Sequence, residues 1–395
     1  MTENEAKLTE IPASEILDKI QKGEDIELDG HNIRGDLDLS QLDLQEDEKD
    51  RRIVALSISM KNCGFYGELY FSYSNFRKTI DFSESHFEGD ASFSGCHFEK
   101  DVDFLHSNFK EYASFNESHF GGDASFSGCH FEKDVNFGGS HFEGDVYFLR
   151  SHFEGDGDFR RSHFEGDAYF LRSHFERDAD FSRSQFDKMI SFASTGKDRT
   201  ICGKSLNLDN CKIYSMYIDA DFSDPSQRQI SLRYPDLNHL FVRWESIKDH
   251  IQFDGSAYLA LVKNFNNLEL FNDADQCYYQ YRTVRRKEHL EGIIPKLLDY
   301  VAWIAYGYGV RPGNPLILSL GLFLISIFIF ASGFGLQKPL GSIINATYLS
   351  VFVFTSSPKT DPLTGLYGVW GMIERIAGWL LMACFLVVLA KKTLR

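Results

Sequence analysis

The sequence predicts a multidomain chain: a β-solenoid, then an α-helical linker, then an α-helical membrane domain with two spans. Three observations predict it. Phe recurs with a period of eleven in two interleaved series between Phe65 and Phe192. Beyond Pro235 the apolar residues fall into helical spacing. Near the C-terminus lie two long apolar stretches, residues 315–336 and 369–390.

The first series includes Phe87, Phe98, Phe109, Phe120, Phe131, Phe142, Phe153, Phe164 and Phe175; the second runs from Phe71 to Phe192. Gaps between neighbouring members alternate between six and five residues. Two residues before each Phe sits something small or aliphatic, such as Cys63, Leu69, Ser85, Ala91 or Val102. Residues two apart on an extended segment share a face, so each pair points inward and the residue between points out. Each pair is one short strand, with a turn after every five or six residues. Fixed-period self-similarity marks a solenoid, and eleven is far from a helical period. Residues 89–102 (GDASFSGCHFEKDV) recur unchanged at 122–135.

Units such as Ala124-Ser-Phe126, Cys129-His-Phe131 and Ala168-Tyr-Phe170 resemble the pentapeptide-repeat family over about half the chain. The resemblance implies a right-handed quadrilateral β-helix with one short strand per side. The family's spacing is five; the alternation of five and six here predicts a coil of about 22 residues with two enlarged corners.

Residues 1–52 read as an N-terminal helix and cap. Ser14 is placed to cap a helix to Lys22, with Ile16, Leu17 and Ile20 on its apolar face and Gly23 ending it. Leu37-Asp-Leu39 and Leu42-Asp-Leu44 begin the repeat with Leu in place of Phe, and residues 45–52 read as a charged loop. The solenoid is expected over 53–224, ending in degenerate units (Leu206-Asn-Leu208, Cys211-Lys-Ile213, Met216-Tyr-Ile218, Ala220-Asp-Phe222) before Asp224-Pro225. The linker, 225–292, reads as three helices. The first runs through Leu240, Val242, Trp244, Ile247 and Ile251. The second and third, around Tyr258–Leu268 and Ala274–Val284, look like a tetratricopeptide-type hairpin.

The membrane domain is expected over 293–395. An aromatic amphipathic helix at 296–309 suits a membrane interface. Residues 315–336 carry no charge and are long enough to span; 369–390 is the second span. Arg282, Arg285, Arg286, Lys287, Lys296 and Arg311 precede the first span, and Lys391, Lys392 and Arg395 follow the second. The positive-inside rule then predicts a multi-pass cell-membrane protein with both termini cytoplasmic. Residues 341–354 are apolar but too short to cross, the mark of a re-entrant helix.

Residues 348–356 (YLSVFVFTS) resemble the pore helix and filter entry of two-span potassium-type channels, and Glu374-x3-Gly378 resembles the start of their inner helix. The resemblance covers about the last 85 residues. It implies a pore region at Thr355, Ser356, Ser357 and Pro358, an inner-helix motif at Glu374 and Gly378, and a tetramer. The family's Thr-Val-Gly-Tyr-Gly filter is absent, so potassium selectivity is not expected: stacked carbonyls need glycines for their dihedrals.

The net charge of −16 conceals a division. Residues 62–192 hold 24 acids against 12 bases, whereas 293–395 hold 3 against 8. Seven Cys without metal spacing read as reduced core residues. No Walker, GxGxxG, HExxH or GxSxG motif occurs, so no enzyme, catalytic residue, metal ligand or cofactor is expected. The acids at repeat corners (Glu88 and Asp90, Glu99 and Asp101, Glu143 and Asp145, Glu154 and Asp156) read as solvated, with stacked-carboxylate calcium binding as the alternative. His86, His97, His119, His130, His141, His152, His163 and His174 each precede an inward Phe. They should form two outward stripes on opposite faces, as a pH-sensitive surface or a tolerated copied position. The expected partners are the lipid membrane, further copies of the chain and a cytoplasmic protein on the solenoid; nucleic acid is not expected. Three functions stay open: an ion channel or channel-like protein regulated through its solenoid, a non-conducting membrane-anchored scaffold, and an acidic DNA-mimic rod.

Overall fold

A computed structural model describes residues 9–193, 199–222, 229–332, 343–355 and 365–394. The chain divides into two compact units, Met1–Ala274 and Asp275–Arg395.

The first unit is a β-solenoid whose strands, mostly two residues long, pair in parallel. Phe87 lies opposite Phe109, Ala91 opposite Ala113, Phe98 opposite Phe120 and Ile80 opposite Val102. Hydrogen bonds between successive coils carry the same offset of 22 residues, as the alternating spacing predicts. Each coil has four faces. A first-series Phe occupies the first and third, and strands that begin on a small residue, such as Ala91–Ser92 and Val102–Asp103, form the second and fourth.

The core is a continuous aromatic stack. Ladder Phe residues from Phe87 to Phe175 are buried. Each stacks on its equivalent one coil away, for example Phe87 on Phe109 at 4.6 Å and Phe93 on Phe115 at 5.1 Å between centroids. Second-series rings also meet edge-to-face, as Phe104 meets Phe115 at 5.4 Å and 79°. Offset stacks and T-shaped contacts are both favoured by the ring quadrupole. One side chain thereby serves both directions.

The five- and six-residue gaps correspond to two kinds of corner. In the five-residue corner, the second residue after each second-series Phe from Phe71 to Phe181 has positive φ, as at Gly95 (67°), His106 (58°), Gly128 (67°) and Arg161 (59°). The next residue is the small one before the first-series Phe. From Ser85 to Ser184 it proves to be a hydrogen-bond donor: Ser107 Oγ donates to the Phe82 carbonyl (2.7 Å), and Cys96 Sγ contacts that of Phe71 (3.0 Å). The residues before second-series Phe carry no such donor: they are aliphatic, as Ala113, Ala124 and Val135 are, except Gly157.

Helix α1 (Ala13–Lys22) packs beside the first strands and buries Ala13, Ile16, Leu17 and Ile20. Gly23 ends it in the left-handed region, as expected, but the N-cap is Pro12 and Ser14 lies inside the first turn. At the other end, the strand Gln185–Ser191 runs through the third and fourth faces with a register shift between Phe186 and Met189.

Strands continue beyond the expected end of the solenoid. Asp236–Phe241 pairs with Lys212–Tyr217, so the segment expected to begin a helix at Leu240 is strand, and only α2 (Trp244–Ile247) is helical there. The alternation of half-buried Leu237 and His239 with exposed Asp236 and Asn238 is masked in the sequence by the helical spacing of Leu240, Trp244 and Ile247. Helix α3 (Gly255–Asn267) follows, with Asp254 capping it. Its buried Asn264 accepts from the Leu240 N–H and donates to the Leu240 carbonyl, both at 2.8 Å. A side-chain amide so takes the place of one further strand at the raw edge. Helix α4 (Phe271–Val284) leads into the second unit through a π-helical turn, Arg285–His289.

The second unit contains α5 (Ile293–Tyr306), α6 (Gly313–Ser332), α7 (Ile343–Phe354) and α8 (Gly365–Thr393). α6, and α8 from Gly368 on, are long and apolar enough to cross a membrane; α7 has only 12 residues. Helices α6, α7 and α8 pack against one another around Phe330 and Ala346, with Leu349 and Trp370 beside them.

Candidate functional site

Three arrangements of polar side chains stand out. The first decorates the solenoid. Its outward histidines form two stripes, His97, His119, His141 and His163 on the third face and His130, His152 and His174 on the first. Rings within a stripe stack at 4.8 Å from His119 to His141, His141 to His163, His130 to His152 and His152 to His174. That is the coil rise. For five of these seven the imidazole Nε2 meets a carboxylate one coil on: His119 with Glu143, His130 with Glu154 and His141 with Glu165 at 2.8 Å, His152 with Glu176 at 2.9 Å, and His163 with Asp187 at 2.7 Å. Partial burial pushes the His97, His119 and His174 pKa values down, and stacked neighbours push the same way. The stripes are as expected; their carboxylate partners were missed, because residues 24 apart become neighbours only once the coil length is fixed.

The corner acids divide into two jobs. Glu143, Glu154 and Glu165 face histidines, whereas Asp residues form backbone ladders. Asp123 Oδ1 accepts the N–H of Asp145 at 2.9 Å, Asp145 Oδ1 that of Asp167 at 2.8 Å and Asp134 Oδ1 that of Asp156 at 2.8 Å. These bonds satisfy amides that the corner leaves outside the strand ladder. The Asp stripes are therefore part of the scaffold.

The second arrangement ties the start of the second unit together. Asp299 on α5 accepts from Arg282 and from the Tyr308 hydroxyl, both at 2.5 Å. Arg286, buried, donates to the Tyr308 oxygen at 2.7 Å and lies over Tyr300 and Trp303 at 4.5 and 4.6 Å. Burial opposes ionisation of Asp299, but Tyr308 and the two guanidinium groups hold its pKa below the usual range.

The third lies among α6, α7 and α8. Glu374 is fully buried and accepts from Ser350 of α7 at 2.5 Å. Trp370 donates to Ser326 of α6 at 3.0 Å. Gly378, one turn beyond Glu374, faces the α7 end: a Cβ there would stand 2.8 Å from the Phe354 ring. Thr355, just past α7, is exposed and its hydroxyl donates to the Val351 carbonyl at 2.8 Å. Ser356, Ser357 and Pro358 lie outside the described residues. Of the residues singled out from sequence, Glu374 and Gly378 thus meet α7, at Ser350 and Phe354.

The comparisons bear on the solenoid alone. Residues 60–108, 104–151 and 148–195 match the family model of pentapeptide repeats (9 copies), so this stretch carries pentapeptide repeats. No curated protein and no solved structure matches the chain.

Proposed function

We propose that the chain is one subunit of an oligomeric, channel-like membrane protein whose solenoid is a cytoplasmic docking or regulatory module. In this reading α6 and α8 span the bilayer, α7 re-enters it, and Thr355, Ser356, Ser357 and Pro358 line the constriction. The observation that carries it is the buried Glu374–Ser350 hydrogen bond, which ties a helix too short to span to one long enough to do so. An ionisable side chain buried among membrane helices is costly and marks function by default. A scaffold anchor needs neither the short helix nor the acid.

Two further features support it. Lys391 and Lys392 lie 3.8 and 3.9 Å from Asp275, so the end of α8 meets α4, as both flanks on one membrane side require. Gly378 admits the Phe354 ring and sets α7 close against α8. The segment after Thr355 lacks the glycines of a potassium filter, so the pore is expected to pass sodium and potassium with little discrimination.

The test is oligomeric state in detergent, followed by conductance in planar bilayers. Tetramers giving currents that Glu374→Gln alters support the reading. Monomers without conductance select the membrane-anchored scaffold. A strong preference for potassium over sodium would reject the selectivity argument while leaving the pore in place.

A further inference from the structure

The histidine stripes form something more specific than a basic-when-acidified surface. Four groups bring two imidazoles and a carboxylate together with their ligand atoms within 4.8 Å of one another: His119, His141, Glu143; His141, His163, Glu165; His130, His152, Glu154; and His152, His174, Glu176. The first two lie on the third face and the last two on the first. The stripes arise because the eleven-residue unit recurs at half a coil, so identical chemistry appears on opposite sides.

We propose that each stripe binds a borderline-soft divalent transition cation, of the zinc, cobalt or nickel class, between adjacent coils. The donor set is two imidazole nitrogens and one carboxylate oxygen, which suits those ions; calcium and magnesium prefer all-oxygen cages. Three protein ligands on a solvent-facing surface leave a fourth position for water. The Nε2 to Oε1 separations of 2.8 to 2.9 Å already approach the span between two ligands of one ion. Zinc to nitrogen bonds are about 2.0–2.1 Å, so the two imidazole nitrogens must close to roughly 3.3 Å in a tetrahedral site. The rings are about one-third exposed, with side-chain exposures of 29% at His119 and 34% at His141, so an ion reaches them from solvent.

The overlap of the groups fixes the stoichiometry. His141 belongs to both groups of its face and His152 to both of the other. An ion held by one group deprives the neighbouring group of a ligand. One ion per face follows, hence two among the described residues, with no contribution from His86, which pairs in register with Gly64 and Asn108 rather than another histidine. A bound ion links successive coils by side chains alone, so it staples the solenoid without touching the Phe core. The inference does not depend on whether the second unit conducts.

The test uses the tag-free full chain in detergent, stripped with a chelator and dialysed to equilibrium against zinc, calcium or magnesium. Two zinc ions per chain are expected, one for His141→Gln, one for His152→Gln, none for the double variant and two for His86→Gln. Cobalt should give the intense visible bands of a tetrahedral nitrogen–oxygen site in the unmodified chain. Zinc content unchanged in the double variant, calcium or magnesium taken up to the same level, or cobalt without such bands would each overturn the proposal. Far-ultraviolet circular dichroism checks that the variants fold, and the cobalt spectrum tests the site without any substitution.

Discussion

The donor serine is the residue that most changes how the repeat is understood. Ser107, Ser118, Ser140, Ser151, Ser162 and Ser184 each give a hydroxyl proton to a Phe carbonyl 25 residues earlier, inside the core. Cys96, Cys129 and Cys211 sit in the same place with a thiol. Sequence identified the position as small and inward, because size is what periodicity reveals. It did not reveal the carbonyl to be satisfied, which belongs to the previous coil. Two predictions belong here. Burial pushes the Cys96, Cys202 and Cys211 thiols up to about 12. A thiol whose folded pKa is raised lends stability below its unfolded pKa near 9, and that stability is lost as pH rises towards 12. Alkaline melting of the full chain should show it, and Ellman titration of the native protein at pH 8 should leave these three unreacted. Second, Phe126→Ala in mid-stack removes one ring from two stacking contacts, with Phe104 and Phe148. A loss of about 3–5 kcal/mol is expected in denaturant titration.

At the scale of the element, the corner and the short helix behave differently. The five-residue corner places one residue in the left-handed region in coil after coil, whether it is Gly128, His106 or Arg161. An eleven-residue period announces that a turn exists; it cannot announce the dihedral, since Arg, Glu, His and Gly all occupy it. Arg161→Gly should be neutral to stabilising by up to about 1 kcal/mol, as relief of the positive φ offsets the added freedom of the unfolded chain. Arg161→Val should destabilise, because a branched Cβ resists that region. Thermal melts of the pair decide the sign. In the second unit, Gly378→Leu should force the Phe354 ring away and loosen α7 from α8, costing about 1–3 kcal/mol. A lower melting temperature in detergent, with the solenoid's strand signal unchanged, is the expected outcome. The lengths and apolar character of α6, α7 and α8 were legible in the sequence. Ser350 as partner of Glu374 was not, because 24 residues and an intervening connection separate them.

For the whole molecule, the two units were legible to different depths. A one-dimensional repeat writes its neighbours into the sequence: once the coil is known to be 22 residues, every contact along the stack is fixed by arithmetic. The Phe ladder, the His stripes and the opposite faces all follow. The end of the stack was the weak point. There the coil lengthens, with Gln185 opposite Lys212 and Lys212 opposite Asp236, and counting no longer works. The helical unit has no such internal copy. Its helices pack around Phe330 and Ala346 and are joined by polar pairs, Glu374 with Ser350 and Trp370 with Ser326, that no period marks.

The half-coil period carries one more consequence. Because the unit is eleven residues and the coil 22, the solenoid has an approximate two-fold screw axis along its length. Gaining or losing one unit advances every later coil by about 2.4 Å and turns it through half a revolution. Two units restore the original facing. The stretch 89–102 and its copy at 122–135 are three units apart, an odd number, and they do lie on opposite sides: His97 on the third face and His130 on the first. Copying within this gene therefore works as a ratchet in orientation as well as length. Odd steps swap which side of the downstream solenoid meets a given surface, and even steps only move it further away.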